Sequence, residues 1–291
     1  MTQIAVIAHA EKLDPSARKE LEDAFFLAGI EAAWTDVPKA KKARKATAQA
    51  VEAGADVVIA CGGDGTVRAA SEALVGTDTA LAVLPAGTAN LFANAFGLPT
   101  RPADLVALVT SGARRTIDSG VCNDRSFNVM AGAGFDARMI DEADEHKERF
   151  GMLAYVRAGL HHARGGDRFD ARVTVDGVPF FAGPATCVLV ANIGTLKAGV
   201  TAFPDASPTD GRLDVGVVTA AGLRQWAAVL AKTLRRRGDE SPHTTVGQGT
   251  SIEVRLDAKH RFELDGGCKG TTKKLSFSVR PGALRLCAPA S

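Results

Sequence analysis

The chain is 291 residues long, 46% of them apolar, with 35 Lys and Arg against 33 Asp and Glu for a net charge of +2. That is enough to build one large domain or two ordinary ones, and it excludes the strongly cationic balance of a nucleic-acid binder. Five scattered cysteines with no CxxC pair point to reduced thiols in a cytoplasm, and no window carries the roughly 18 apolar residues of a membrane span.

The chain opens with the apolar run QIAVIAHA. DPSARKELEDAFFLAGI follows, with an Asp-Pro start and helical spacing, and then EAAWTDV as a second strand. KAKKARKATAQAVEAGA reads as a helix closed by Gly54, DVVIAC as a buried strand, VRAASEALVGT as a helix and ALAVLPA as another strand. Such alternation predicts an α/β domain over residues 1–118, with a parallel sheet covered by helices on both faces. From residue 119 to 278 the runs FDARVTVDGVPFF, ATCVLVANI, LDVGVVTA, SIEVRLD and RFELDGG alternate and are punctuated by glycine, as in an antiparallel β-rich sandwich. Helical stretches interrupt it over 141–163 and 223–236. Residues 279–291 close the chain and are expected to return toward the first domain.

Two turns carry the chemical signal. A strand ending in Gly62-Gly63-Asp64-Gly65-Thr66 before a helix exposes backbone N–H groups to an anion, and phosphate is the natural guest. Pro85-Ala86-Gly87-Thr88-Ala89-Asn90 follows the next strand, so both turns belong at the carboxyl end of one sheet. The pattern is neither a Walker loop nor a GxGxxG dinucleotide fingerprint. A tight turn whose aspartate merely caps a helix is the plain alternative.

GGDGTV followed by PAGTANLFA resembles the catalytic domain of the diacylglycerol kinase family, which includes sphingosine, ceramide and bacterial lipid kinases. The resemblance continues through RTIDSGVCNDRSFNVMAGAGFDA, FGMLAYVRAGL, FPDASPTDGRLDVGVV and ELDGG. It implies an ATP-dependent, Mg²⁺-requiring lipid kinase, with diacylglycerol the leading acceptor and phosphatidic acid the product. By similarity Gly62, Gly63, Asp64, Gly65 and Thr66 embrace the ATP phosphates, Gly87, Thr88 and Asn90 complete the nucleotide site, and Thr35 touches the nucleotide. The resemblance also implies a structural Mg²⁺ or Ca²⁺ held by Asp210 with the carbonyls of Ser207 and Arg212. A simple Asp-Gly turn stands beside that reading.

The chain departs from the family in two places. The usual Asn-Pro-x-x-Gly loop is replaced by Ala8-His9-Ala10-Glu11-Lys12, where His9 or Lys12 could meet a phosphate or simply be exposed. The family's Leu-Asp-Gly-Glu reads Leu264-Asp265-Gly266-Gly267, so the proposed general base is missing. Asp64 is the first candidate to replace it and Asp265 the second. The rival readings are an NAD kinase-like enzyme and a non-catalytic nucleotide- or lipid-binding homologue. Basic clusters at 39–45 and 235–237 suit an enzyme working peripherally at the inner membrane surface, although a solvated helix face accounts for either alone. No nucleic-acid partner is expected, and a homodimer stays open.

Overall fold

A computed structural model of the chain describes residues 2–134, 168–195, 201–234 and 241–289. The expected helix over 141–163, with His146, Tyr155, His161 and His162, lies outside these residues, as do Arg235, Arg236 and Arg237. The chain divides into two compact units, Met1–Ser119 with Gly282–Ser291, and Gly120–Pro281.

In the first unit β1 (Ile4–His9), β2 (Ala32–Val37), β3 (Val57–Gly62) and β4 (Ala80–Pro85) run parallel in the order β4-β3-β1-β2. Each of β1 and β3 is buried along its whole length. That is why these strands read as unbroken apolar runs: a parallel strand covered on both faces has no polar side to alternate with. Helices α1 (Pro15–Leu27), α2 (Ala40–Glu52), α3 (Asp64–Leu74), α4 (Leu91–Ala95) and α5 (Pro102–Thr110) connect and cover the sheet. Val6, Ile59, Ala82 and Leu84 form one core with Leu21 and Phe25 of α1 and Leu105 and Val109 of α5. Asp14 caps α1 by accepting from Ser16 N at 2.8 Å, with Pro15 at the first helical position. The end of the chain returns here, since Cys287 N donates to Leu81 O at 2.7 Å.

The second unit is antiparallel. β5 (Arg115–Cys122) leads into it, followed by β6 (Arg125–Phe127), β7 (Met130–Ala133), β8 (Phe169–Val175), β9 (Val178–Ala185), β10 (Cys187–Ala191) and β11 (Leu213–Val218). α6 (Leu223–Leu234), β12 (Thr244–Gly249), β13 (Ser251–Leu264) and β14 (Gly267–Leu286) complete it. SIEVRLD and the RFEL of RFELDGG, two runs in sequence, belong to the single strand β13. Its register against β14 slips between Arg255 and His260, where Asp257 Oδ1 accepts from Ala258 N. The irregularity lets one strand serve two neighbours: residues 252–256 pair with β8 and residues 262–264 with β7. Val173, Val188, Val190, Val215, Ile252, Leu264 and Phe277 fill the space between the layers. Among the described residues no helix is long and apolar enough to cross a membrane.

Candidate functional site

The first glycine turn joins β3 to α3 and the second joins β4 to α4. Parallel pairing sets Gly62 beside Pro85, and Ala86 N donates to Gly62 O at 2.9 Å, so the two turns start level. They then touch. A Cβ on Gly87 would lie 2.5 Å from Gly63 Cα, and one on Gly63 would lie 3.1 Å from Gly87 Cα. Gly62 is glycine for a nearer reason: the side chain of Thr66, itself buried, occupies the place of its Cβ, with Oγ1 only 2.6 Å away. Two backbones at this separation admit no side chain between them.

Gly63 stands at the N-cap of α3 and accepts from Thr66 N and Val67 N, while the N–H of Asp64 turns to its own carboxylate, so the N–H of Gly65 is the one in this first turn without an intrahelical backbone acceptor. Asn90 closes the second turn from within. Its Oδ1 accepts from Gly87 N at 2.9 Å and its Nδ2 donates to Gly87 O at 2.8 Å, with the backbone in the left-handed region at φ 46°. Asparagine tolerates that conformation where most residues do not. Thr88 is exposed on the turn's rim.

Asp64 links the two turns. Its Oδ1 accepts from Phe92 N at 3.2 Å, across to the first turn of α4. Burial is the main influence on this carboxylate and pushes its pKa above the usual range, partly opposed by the N–H groups of Phe92, Leu91 and Asn90. A carboxylate that holds its proton to higher pH in a site rich in N–H donors is suited to proton exchange. Lys12 completes the arrangement, with its Nζ 3.3 Å from where a Cβ on Gly63 would lie. Of the two candidates in the altered first loop, His9 is buried at 7% exposure and its Nδ1 accepts from Glu11 N at 3.4 Å. The cation at the turn is therefore Lys12.

Thr35 is placed elsewhere. It sits on the edge strand β2 and lines a cavity of about 260 Å³ with Gln3, Ala46, Gln49 and Ala50.

Asp265 and Gly266 form a two-residue hairpin turn between β13 and β14, both with positive φ, at 48° and 73°. The Asp265 carboxylate accepts from the backbone N–H of Asn128 at 2.9 Å, Val129 at 2.8 Å and Met130 at 3.1 Å. It anchors the approach to β7, and oxygens so committed are poorly disposed to take a proton from a substrate. At Gly267 the backbone is ordinary strand, and a Cβ there would meet Lys269 Nζ at 2.9 Å.

At the expected cation corner Asp210 Oδ1 accepts from Arg212 N at 2.9 Å, while Gln248 Nε2 donates to Asp210 Oδ2 at 3.1 Å and reaches Asp214 Oδ2 at 3.4 Å. Ser207 Oγ lies 3.1 Å from Thr209 Oγ1. The Asp214 pKa is pushed up to about 6, first by burial and then by the charges of Asp210 and Asp205. Gln248 is not legible as a member of this corner, because it arrives from β12, where strand pairing sets it opposite Asp214, whereas Asp205 and Asp214 stand in the same sequence run as Asp210 and could have been found there. Among the described residues no group of three or more His, Cys, Asp or Glu is arranged as a metal cage. The Arg212 guanidinium stands in the same corner, with Nη1 donating to Gln248 Oε1 at 3.3 Å.

Residues 6–122 match the model of the diacylglycerol kinase catalytic domain, and residues 129–288 that of the YegS C-terminal NAD kinase beta sandwich-like domain. A Pseudomonas putida protein named "probable lipid kinase YegS-like" is 31% identical over 284 residues, covering 94% of this chain and 90% of that protein. An uncharacterized protein of Synechocystis is 31% identical over 260 residues, covering 86% of this chain but only 58% of that protein's length. Among solved structures, a diacylglycerol kinase of Bacillus anthracis superposes with a TM-score of 0.76 at 19% identity, over 99% of this chain and 97% of that one. An NAD kinase of Archaeoglobus fulgidus in complex with ATP gives 0.55 at 14% identity, over 98% and 93%.

Proposed function

This chain belongs to the lipid kinase family that unites the diacylglycerol kinase catalytic domain with the YegS-type C-terminal domain, and we propose that it transfers the γ-phosphoryl group of ATP to the hydroxyl of diacylglycerol. The observation that carries this reading is the contact of the Gly63 and Gly87 turns at the ends of parallel strands, with Asp64 spanning them and Lys12 beside them.

In this reading the N–H groups of Gly63 and Gly65 in the first turn and of Thr88 and Ala89 in the second receive the phosphate oxygens, and the Lys12 ammonium adds a charge-assisted donor. Asp64 accepts the proton of the lipid hydroxyl as its oxygen bonds to the γ-phosphorus and the bond to the ADP oxygen breaks. The products are phosphatidic acid, ADP and a proton. Bound Mg²⁺ would supply charge neutralisation between the β- and γ-phosphates. Asp210, with the carbonyls of Ser207 and Arg212, would hold a second divalent cation, and the charges of Asp205 and Asp214 would add to its attraction.

The test is transfer of label from ATP to a panel of micellar lipids in the presence of Mg²⁺, with NAD as a soluble acceptor beside them. Labelled phosphatidic acid that disappears in Asp64→Asn supports the reading, and label in NADP instead would sink it. Gly267 motivates a second reading, a homologue that binds nucleotide or lipid without turnover. That reading predicts ATP binding with no labelled product, and recovery of transfer in Gly267→Glu.

A further inference from the structure

The first two turns of α2 carry positive charge that nothing around them answers. Lys39, Lys41, Lys42, Arg44 and Lys45 fall between Asp36 and Glu52, a stretch with no other charged residue. All five side chains are exposed, and among the described residues none is engaged in an ion pair or a side-chain hydrogen bond. Ala43, Ala46 and Thr47 turn inward. At 3.6 residues per turn, Lys41, Lys42, Arg44 and Lys45 therefore fan over the opposite half of the helix.

Helix stability does not account for this placement. α2 starts with no side-chain cap and no acid in its first turn, whereas α3 starts with Asp64 and α5 carries Asp104 there. Cations at a helix N-terminus oppose the macrodipole, so the cluster is locally unfavourable to the fold. Position gives it a use. The β2–α2 connection opens at the same strand ends as the two glycine turns, and Ala40 Cβ lies 3.5 Å from where a Cβ on Gly65 would lie. The basic face is thus immediate neighbour to the first turn of α3.

We propose that the exposed basic face of α2 is a docking surface for the anionic headgroups of a bilayer, which sets the phosphate turns of this unit at the membrane. The choice of a bilayer over other polyanions rests on the lipid-kinase reading. The attraction is additive and screened: each Lys or Arg near an anionic surface strengthens partition roughly fivefold at moderate salt, and the effect decays within a Debye length.

The test is sedimentation of the full chain with vesicles of phosphatidylcholine alone, and of two parts phosphatidylcholine to one part phosphatidylglycerol. The variant Lys41→Gln, Lys42→Gln, Arg44→Gln, Lys45→Gln is measured alongside, and glutamine keeps the helix propensity. The native chain should bind the anionic vesicles, release them in high salt and ignore the neutral ones. The variant should lose roughly a hundredfold or more of that partition, with ATP affinity and circular dichroism unchanged. Single Lys41→Gln and Lys45→Gln variants, each giving a partial loss, keep the test decisive should the quadruple variant misfold. Equal binding to both vesicle types, or full retention by the variant, overturns the proposal. Loss of ATP affinity with vesicle binding kept would also overturn it, by assigning the cluster to nucleotide phosphate. Micellar transfer separates this proposal from the reading beneath it: a chain inactive on every dispersed lipid that still binds anionic vesicles loses the reaction and keeps the surface.

Discussion

Asp64 is the first residue of α3, and its half-buried carboxylate answers the N–H of Phe92 across the two turns. Burial raises its pKa, so it remains protonated at pH values where an ordinary carboxylate, near 4, has ionised. Activity that needs the ionised form should therefore show an acid limb in kcat/KM above about pH 4. Asp64→Asn should abolish that limb and lower kcat by about 10²–10⁴. The sign for stability is opposite to that of a salt-bridged aspartate. Ionised Asp64 is unfavourable to the fold, stability falls as pH rises toward its elevated pKa, and the asparagine variant should melt no lower than the native chain. Asp265 makes the contrasting case. Asp265→Ala leaves the N–H groups of Asn128, Val129 and Met130 without its oxygens. Each orphaned donor costs about 1–3 kcal/mol. The measurement is Tm beside kcat: a lost Tm marks the anchoring role, and a lost kcat at native Tm would instead restore Asp265 as a candidate base.

The glycine turns work as a pair, which makes their glycines unequal. Gly87→Ala places a methyl group 2.5 Å from Gly63 Cα. Backbone must move to admit it, at a cost of about 1–3 kcal/mol in the manner of an overpacked core, and a lowered Tm with loss of ATP binding is expected. At Gly65 the added Cβ meets only Ala40 Cβ at 3.5 Å, an ordinary contact, so Gly65→Ala should leave Tm unchanged or slightly raised. Both turns are legible in the sequence because glycine between a buried strand and a helix costs chain entropy, a cost that close approach of backbone to a neighbour or a ligand offsets. Their contact is not legible there, since it depends on β3 and β4 being neighbours. β13 shows the converse limit. The slip that joins two alternating runs into one strand is a matter of hydrogen-bond register, and the composition of Asp257 and Ala258 does not announce it.

At the scale of the whole chain, the second unit's acidic corner should respond to cations. A divalent ion bound there would stabilise the folded state by about 2.7 kcal/mol at a hundred times its dissociation constant. A rise in Tm with Ca²⁺ or Mg²⁺ that is lost in Asp210→Ala would register it. Asp214 gives the pH dependence: with its pKa at about 6 in place of 3.8, its ionisation disfavours the fold as pH rises through that window. A bound cation favours the ionised form, so its stabilising effect should grow as pH rises through about 6. The α/β order of the first unit, the β-rich character of the second and the two glycine turns all follow from the chain's own sequence. Each of these is written in local periodicity or in glycines adjacent along the chain. The tertiary structure decided what depends on distant segments. Lys12 at Gly63, the Asp64 bridge to Phe92, the anchoring of Asp265 to residues 128–130 and the meeting of Gln248 with Asp210 and Asp214 all join residues that strand order brings together. Hydrogen bonds of that kind reach only about 3 Å, and no spacing in a linear chain encodes which distant group will stand within that reach.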